Sequence, residues 1–113
     1  MGSIYRVIDN HPNYVVTDTG EIFSNTDTGL KELKQDISNG YPRVKLDGEK
    51  IYVASVVAET FLDPPSNPNQ KIFHIDGNKL NCDKSNLIWL SQSEIQRYSQ
   101  YTIEYRKEIL GEW

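Results

Sequence analysis

The order of apolar and polar positions predicts two β-hairpins in the first half of the chain. Residues 13–24, NYVVTDTGEIFS, place apolar side chains on both sides of an Asp-Thr-Gly turn. In residues 41–54, YPRVKLDGEKIYVA, apolar residues alternate with polar ones around Asp47 and Gly48, a pair that suits a tight turn with positive φ. We interpret residues 25–40 as a loop with room for one short strand.

The pattern changes to helical spacing at Val53. Apolar residues at intervals of three and four predict a short buried helix over residues 53–62, and the three prolines of residues 63–69, DPPSNPN, end it. Residues 71–73 and 86–90, KIF and NLIWL, then predict two short strands joined by a turn-rich loop.

A further helix is predicted after the second of these strands. Ser91 and Glu94 form a capping-box signature, and good helix formers continue from Gln92 to Leu110, with Gly111 placed to end the helix. The predicted fold class is therefore α+β, in a single compact unit. Its parts, within residues 1–113, are an N-terminal antiparallel β subdomain at 4–50, a ββα unit at 51–96 and a long C-terminal helix at 92–111 that continues from it.

Length and composition are those of one soluble domain. The chain has 113 residues, of which 37% are apolar and 25% are charged, and no apolar run comes near the ~18 residues that a membrane span needs. The first residues, MGSIYRVIDN, lack the basic and apolar regions of a secretory signal, so we expect a cytoplasmic protein. The lone Cys82 excludes an internal disulfide and a thiolate zinc site.

Acidic charge is spread over the whole chain. The net charge is −4, and residues 1–50 and 51–113 each carry six Lys or Arg against eight Asp or Glu. Proteins gain most of their affinity for duplex DNA by neutralising phosphates with Lys and Arg. The charge balance therefore counts against strong nonspecific binding to duplex DNA, although it leaves room for a local basic face.

Several segments together resemble the HNH homing endonucleases of phages and introns. LKQDISNGYPRVKL and NYVVTDTGEIFS look like the small β domain found ahead of the HNH motif, and KIYVASVVAETFL with FHIDGNKLNCDKSNLIWLSQSE looks like the motif itself. The resemblance runs from about Tyr5 to Gln96. HIDGNKLN followed by SNLIWLSQSE is its most specific part, because residue types and spacing agree together.

The resemblance implies roles for two residues and a loss at two others. His74 matches the general base, and Asn86 matches the asparagine that braces the loop and orients that histidine. The family holds its metal through an Asp or Asn just before the histidine and a His or Asn early in the following helix, and these positions are Phe73 and Ile95 here. Neither side chain supplies the oxygen ligands that Mg²⁺ needs. We therefore expect a degenerate metal site and no cofactor, with Mg²⁺ or another divalent cation only if nuclease activity persists.

Other residues of the motif have competing interpretations. Asp76 and Glu94 are weak candidates for replacement metal ligands, but Asp before Gly-Asn is a common turn former and Glu94 fits the capping box. Ala54 and Ser55 stand where the family usually has His-Arg. Without a metal, His74 is more often a hydrogen-bonded structural group than a working base.

A candidate binding surface is formed by basic, aromatic and amide side chains. They lie in the second hairpin and in the turn-rich loop between the strands at 71–73 and 86–90. The alternative is an ordinary solvated face, because acidic residues are interleaved with them. The candidate binding residues are Asn78, Lys79, Asn81, Lys84, Arg43, Lys45 and Tyr52.

The last predicted helix carries a stripe at heptad-like spacing. Ile95, Tyr98, Thr102, Tyr105 and Ile109 recur at intervals of three and four residues. This stripe predicts either packing on its own domain or a homodimer across the helix.

Three functions are compatible with these residues. The first, which we favour, is a catalytically degenerate HNH-fold protein, phage-encoded and without enzyme activity. It would bind a protein or a small nucleotide ligand, which an acidic surface suits better than a long duplex, and would interfere with a host nuclease or a nucleotide signal. The second is an HNH-type metal-dependent DNA endonuclease or nickase. The third is a noncatalytic, sequence-specific DNA-binding protein.

Overall fold

The computed structural model describes residues 3–110 of the chain. These residues form antiparallel sheets and three α-helices, which confirms the predicted α+β class. The strands are β1 Tyr5–Ile8, β2 His11–Thr17, β3 Ile22–Thr26, β4 Gly29–Glu32, β5 Asp36–Ser38, β6 Tyr41–Leu46, β7 Glu49–Tyr52, β8 Lys71–His74 and β9 Leu87–Leu90. The helices are α1 Val53–Phe61, α2 Gln92–Ser99 and α3 Ile103–Leu110, with a short 3₁₀ helix at Lys84–Asn86. Within the described range, no helix has the length and apolar character that a membrane span requires.

The N-terminal half folds into two antiparallel sheets. Strands β1 to β4 form a four-stranded sheet in sequence order, and β5 to β7 form a three-stranded sheet. The β6–β7 turn has the predicted geometry, since Asp47 and Gly48 have φ values of 50° and 87°. The prediction for residues 25–40 gave too little structure, because β4 and β5 both lie there. All four residues of β4 are exposed, so main-chain pairing with β3 holds this strand without an apolar pattern.

Helix α1 packs its apolar face against both sheets. It ends where the amide of Leu62 donates to the carbonyl of Ala58 at 3.0 Å, one residue from the predicted position. The prolines that follow cannot continue a helix. The buried residues of this main core are Ile8, Val16, Ile22, Val44, Leu46, Val53, Ala54, Val56, Val57, Cys82 and Leu87.

Strands β8 and β9 and helix α2 follow one another in the predicted order. The two strands are antiparallel, with His74 opposite Leu87. Helix α2 begins at the predicted capping box, in which Ser91 Oγ accepts from the amide of Glu94 at 3.3 Å and Glu94 Oε1 accepts from the amide of Ser91 at 2.9 Å.

The prediction of one continuous helix over residues 92–111 is wrong. A turn at residues 100–102 separates α2 from α3. Thr102 Oγ1 accepts a hydrogen bond from the amide of Tyr105 at 3.2 Å, which caps the start of the second helix. The predicted helix end at Gly111 lies outside the described residues.

The turn lets α3 fold back onto the β8–β9 hairpin. Arg106 and Leu110 are the buried residues of α3. Leu110 packs with Ile75 and Leu90 in a second apolar cluster, separate from the main core. Burial of this apolar surface favours two helices that meet the hairpin over one straight helix that leaves it.

The heptad-like stripe is divided by the same turn. Ile95 and Tyr98 pack within the chain, in the second cluster. Tyr105 and Ile109 lie beyond the break at Thr102 and are exposed. The predicted continuous seam is therefore wrong for residues 92–110, and a homodimer stays a prediction without that basis.

Candidate functional site

His74 lies at the end of β8, and strand alternation directs it to the opposite face from Phe73. Only 8% of its surface is exposed, and its ring centre lies 5.8 Å from that of Tyr41. Its Nε2 is buried and has no hydrogen-bond partner among the described residues. Burial lowers the pKa of His74 from its usual 6.5, the Asp76 carboxylate acts in the opposite direction, and the Lys79 ammonium lowers the pKa further. The imidazole is therefore mainly neutral at neutral pH.

The loop after His74 is organised by Asn86. Asn86 Oδ1 accepts from the amide of Asp76 at 2.9 Å, and its Nδ2 donates to Asp76 Oδ1 and to the carbonyl of Asn81, both at 2.9 Å. The side chain is buried, so these polar atoms need their partners. The carbonyl of Asn86 also accepts from the amide of Ile75 at 2.9 Å. Asn86 thus fixes the chain that directly follows His74, and its effect on the orientation of the imidazole stays a prediction.

Asp76 belongs to the same hydrogen-bond network. Its Oδ1 accepts from the amide of Asn78 at 2.8 Å, and its Oδ2 accepts from Asn81 Nδ2 at 2.9 Å. Burial alone would raise the pKa of Asp76, but the hydrogen bonds from Asn81, Asn78 and Asn86 together hold the pKa below its usual value. The carboxylate is therefore engaged as a turn former.

The two positions expected to hold a metal lie in the second apolar cluster. Phe73 and Ile95 pack against Ile75, Leu90 and Leu110. The cluster lies where the β8–β9 hairpin meets α2 and α3, so its side chains hold these elements together. Neither expected position presents a lone pair to a cation.

A buried guanidinium stands next to Phe73. Arg106 is 8% exposed, its Nε donates to the carbonyl of Ile75 at 2.9 Å, and its Cζ lies 5.3 Å from the centre of the Phe73 ring. Gly77 leaves space for the group, because a Cβ there would lie 3.3 Å from Arg106 Nη2. The sequence analysis missed Arg106, since no pattern in α3 marks which charged residue turns inward.

The residues present do not fit a divalent metal ion. Within residues 3–110, no group of three or more His, Cys, Asp or Glu side chains is arranged to hold one. The carboxylate of Glu94 is engaged in the capping box, where hydrogen bonds from Ser91 hold its pKa below the usual value. The positive charge of Arg106 beside Phe73 also disfavours a second cation there. The absence of a metal cofactor stays a prediction.

A cavity of about 300 Å³ opens on the other face of β8, beside His74. Tyr41 and Tyr52 form one wall, with ring centres 5.9 Å apart and ring planes at 77°. Lys79 places its Nζ 4.7 Å from the centre of the Tyr41 ring. The cavity is lined by Asn39, Tyr41, Tyr52, Ala54, Ser55, Ile72 and His74.

Some predicted binding residues meet at this cavity and others do not. Tyr52 lines it, and Lys79 contacts Tyr41 in its wall. Arg43 is instead held by Asp36, with its Nε 3.2 Å from Asp36 Oδ1. Lys45 is exposed elsewhere on β6 and does not line the cavity.

The other predicted binding residues lie in the loop between β8 and β9. Asn78 Oδ1 accepts from the amide of Leu80 at 3.0 Å, and Asn81 takes part in the network around Asn86. The main-chain amide of Lys84 donates to the carbonyl of Asp18 at 2.8 Å, which ties the loop to the N-terminal sheet. These contacts are those of a scaffold rather than of one continuous binding surface.

Comparisons with known proteins find similarity to curated HNH endonucleases. The chain is 35% identical over 96 residues to the H-N-H endonuclease F-TflI of Escherichia phage T5, with coverage of 80% of this chain and 48% of the relative. It is 32% identical over 92 residues to an uncharacterized HNH endonuclease of Acanthamoeba polyphaga mimivirus, with coverage of 77% and 27%. The chain thus spans about half the length of the first relative and about a quarter of the second. No protein-family model matches.

A solved structure matches the fold over nearly the whole chain. Its title is "DNA binding and cleavage by the HNH homing endonuclease I-HmuI", and it aligns with a TM-score of 0.72 and 28% identity over 94% of this chain and 65% of that chain. The relatives named as HNH endonucleases and this structural match agree with each other. The chain is therefore an HNH homing endonuclease-like protein.

Proposed function

We propose that this chain is a catalytically degenerate HNH-fold protein that binds a ligand and does not cut DNA. The observation that carries the proposal is the packing of Phe73 and Ile95 in the second apolar cluster. Metal-dependent phosphodiester cleavage needs a divalent cation to stabilise charge on the phosphate and on the leaving oxygen. A phenyl ring and a sec-butyl group supply no ligand for that cation.

The remaining polar residues do not replace the metal. His74 as a neutral imidazole is able to accept a proton, but proton transfer alone leaves the charge on the phosphate unstabilised. Asp76 and Glu94 both have their carboxylates engaged in hydrogen bonds that shape the loop and cap α2. A metal recruited by either carboxylate would compete with those structural contacts.

The charge distribution favours a small or protein ligand over a long duplex. The net charge is −4, and Asp36 already neutralises Arg43, one of the predicted phosphate contacts. A duplex binder depends on many Lys and Arg contacts to phosphate. The cavity beside His74 has instead the mixture of apolar walls and a few polar groups that is typical of small-ligand sites.

We also propose that the protein is phage-encoded and acts in the host cytoplasm. The relative from phage T5 supports this setting. A binding module without nuclease activity would interfere there with a host nuclease or with a nucleotide signal. This use depends on the loss of cleavage, since an active nuclease would act on DNA directly.

An active metal-dependent DNA endonuclease or nickase is the second candidate. It is favoured by His74 and Asn86, which keep the histidine and the braced loop that such a site needs. The relatives are also named HNH endonucleases. Activity would require a rearrangement that frees Asp76, or ligands beyond residues 3–110.

A nuclease assay separates the two candidates. The purified chain is incubated with plasmid and with single-stranded DNA in Mg²⁺, Mn²⁺ or EDTA, beside the variant His74→Ala. We expect no cleavage above the EDTA background. Cleavage that requires the metal and is lost in His74→Ala would overturn the proposal.

A gain-of-function variant tests the cause of the expected inactivity. Phe73→Asp with Ile95→Asn restores oxygen ligands, whereas Phe73→Leu with Ile95→Leu alters the same two positions without adding any. Cleavage by the first pair alone, lost again with His74→Ala, would support the view that only the metal site was lost. Circular dichroism of each variant shows whether it is folded.

A further inference from the structure

We propose that the cavity beside His74 binds an unpaired nucleobase that carries a phosphate. The source is either a free nucleotide or a nucleotide within a single strand, and both present the same chemistry to the cavity. This inference rests on the proposed binding function and names the ligand class of that site. At about 300 Å³ the cavity lies at the lower end of the range for small-ligand sites, which suits a base and part of its sugar.

The aromatic wall provides a stacking surface for a base. Tyr52 lines the cavity and is 41% exposed, so it is accessible to a ligand. Tyr41 meets it edge to face, with ring centres 5.9 Å apart and ring planes at 77°. Stacking on aromatic side chains is the main way in which proteins bind unpaired bases without regard to sequence.

Polar groups face the same space and suit the edge of a base. His74 borders the cavity with its ring, whereas its Nε2 is buried and has no partner among the described residues. Ser55 and Asn39 add a hydroxyl and an amide, so donors and acceptors are both present.

The ammonium of Lys79 is placed near the cavity, where it can receive the phosphate. Lys79 Nζ lies 4.7 Å from the centre of the Tyr41 ring, at the aromatic wall. The β5–β6 turn supports the stem of this lysine, because a Cβ on Gly40 would lie 3.3 Å from Lys79 Cδ. Gly40 has a φ of 84°, so glycine serves both the turn and the close approach. One base with one nearby ammonium matches a nucleotide better than an uncharged aromatic ligand.

A paired base does not fit this arrangement. In a duplex the faces of each base are stacked and its hydrogen-bonding edge is occupied, so a base must leave the helix before it enters a pocket. The proposed ligand is therefore a mononucleotide or a single strand.

Isothermal titration calorimetry with defined probes tests the inference. The probes are the adenosine, guanosine, cytidine and uridine 5′-monophosphates, single strands of about eight nucleotides, the matching duplex and inorganic phosphate. We expect at least one monophosphate or single strand to bind and the duplex and phosphate to bind at least tenfold more weakly. Equal affinity for a monophosphate and a single strand indicates a free nucleotide as the source, whereas binding of the single strand alone indicates nucleic acid.

Matched variants assign the binding to the cavity. Tyr52→Ala should weaken binding at least tenfold, and Tyr105→Ala, which removes an exposed tyrosine on α3, should leave it unchanged. Tyr52→Phe keeps the stacking ring and should retain binding, which separates stacking from misfolding. Lys79→Ala should weaken the binding of monophosphates more than the binding of the corresponding nucleosides. Lys71→Ala, on the exposed start of β8, should not show this difference.

Two outcomes would overturn the inference. One is the absence of binding by every monophosphate and single strand at millimolar concentration. The other is equal loss of affinity in Tyr52→Ala and Tyr105→Ala. The nuclease assay is independent, so cleavage together with cavity binding refutes the proposed inactivity alone, whereas inactivity without nucleotide binding refutes the nucleotide site alone.

Discussion

His74 is a polar residue that is buried and that also borders the cavity. It is buried against Tyr41 and lies on the face of β8 opposite the second apolar cluster. A buried histidine is usually explained as a hydrogen-bonded structural group. Among residues 3–110 its Nε2 has no hydrogen-bond partner, whereas structural imidazoles normally satisfy both nitrogens.

The first prediction concerns the titration of this imidazole. We expect the pKa of His74 to lie below about 6.5, the usual histidine value, because burial disfavours the charged ring. In the window between the lowered pKa and about 6.5, the unfolded chain binds more protons than the folded one. Stability should therefore be complete above this window and should fall as the pH falls through it. His74→Gln should remove that part of the pH dependence.

The measurement is simple because the chain has only one histidine besides His74, which is His11. In the variant His11→Gln, the only remaining imidazole is that of His74. The NMR chemical shifts of its ring protons, followed against pH, give the pKa of His74. Urea denaturation at several pH values gives the stability. A His74 pKa at or above the usual value would show that burial does not control this group.

Part of the candidate site follows from local sequence and part does not. The turn around Asp76 and the brace at Asn86 involve residues close in sequence, and their types and spacing indicated both. Tyr52 was also expected to bind, but its meeting with His74 depends on how two distant hairpins pack. Arg43 was expected to face a ligand and instead pairs with Asp36 across β5 and β6, a strand pair that the sequence analysis did not foresee.

At the scale of elements, the C-terminal segment shows the limit of local patterns. Residues 92–110 contain neither glycine nor proline, so propensity alone predicts one helix. The break appears because burial of Arg106 and Leu110 requires α3 to return to the hairpin. Strand β4 shows the same limit, since its four exposed residues give no period of two. By contrast, α1 and the β6–β7 turn were predicted correctly because apolar spacing and an Asp-Gly pair determine them locally.

The second prediction concerns Arg106 as the link between α3 and β8. Arg106→Met keeps an apolar contact with Phe73 but leaves the buried carbonyl of Ile75 without its donor. Loss of one partner of a buried hydrogen bond costs about 1–3 kcal/mol. We expect the free energy of unfolding to fall by about that amount, as measured by urea denaturation.

Lys107→Met is the matched control for this variant. It makes the same change of charge on the neighbouring residue of α3, which is exposed. Its effect on stability should stay within about 0.5 kcal/mol. Equal destabilisation by the two variants would mean that charge, and not the buried hydrogen bond, accounts for the loss.

At the scale of the whole molecule, the net charge limits which ligands the protein can bind. The molecule carries a net charge of −4, and Arg43 and Lys50 share the single carboxylate of Asp36. These two basic residues are therefore partly neutralised within the fold. The fold resembles that of an endonuclease whose title names DNA binding and cleavage. A shared fold does not determine function, so the ligand must be judged from the charges of this chain.

The third prediction contrasts the salt dependence of duplex and nucleotide binding. Fluorescence anisotropy with a labelled duplex should show weak binding at about 50 mM salt that is lost at about 200 mM, because such binding depends on the release of counterions from phosphates. Binding of a nucleotide in the cavity should change far less, since stacking on Tyr52 and hydrogen bonds to a base release few ions. A duplex affinity tighter than about 1 μM at about 200 mM salt would contradict this expectation. It would require a basic surface stronger than the net charge suggests, and it would favour a DNA-binding role over the nucleotide site.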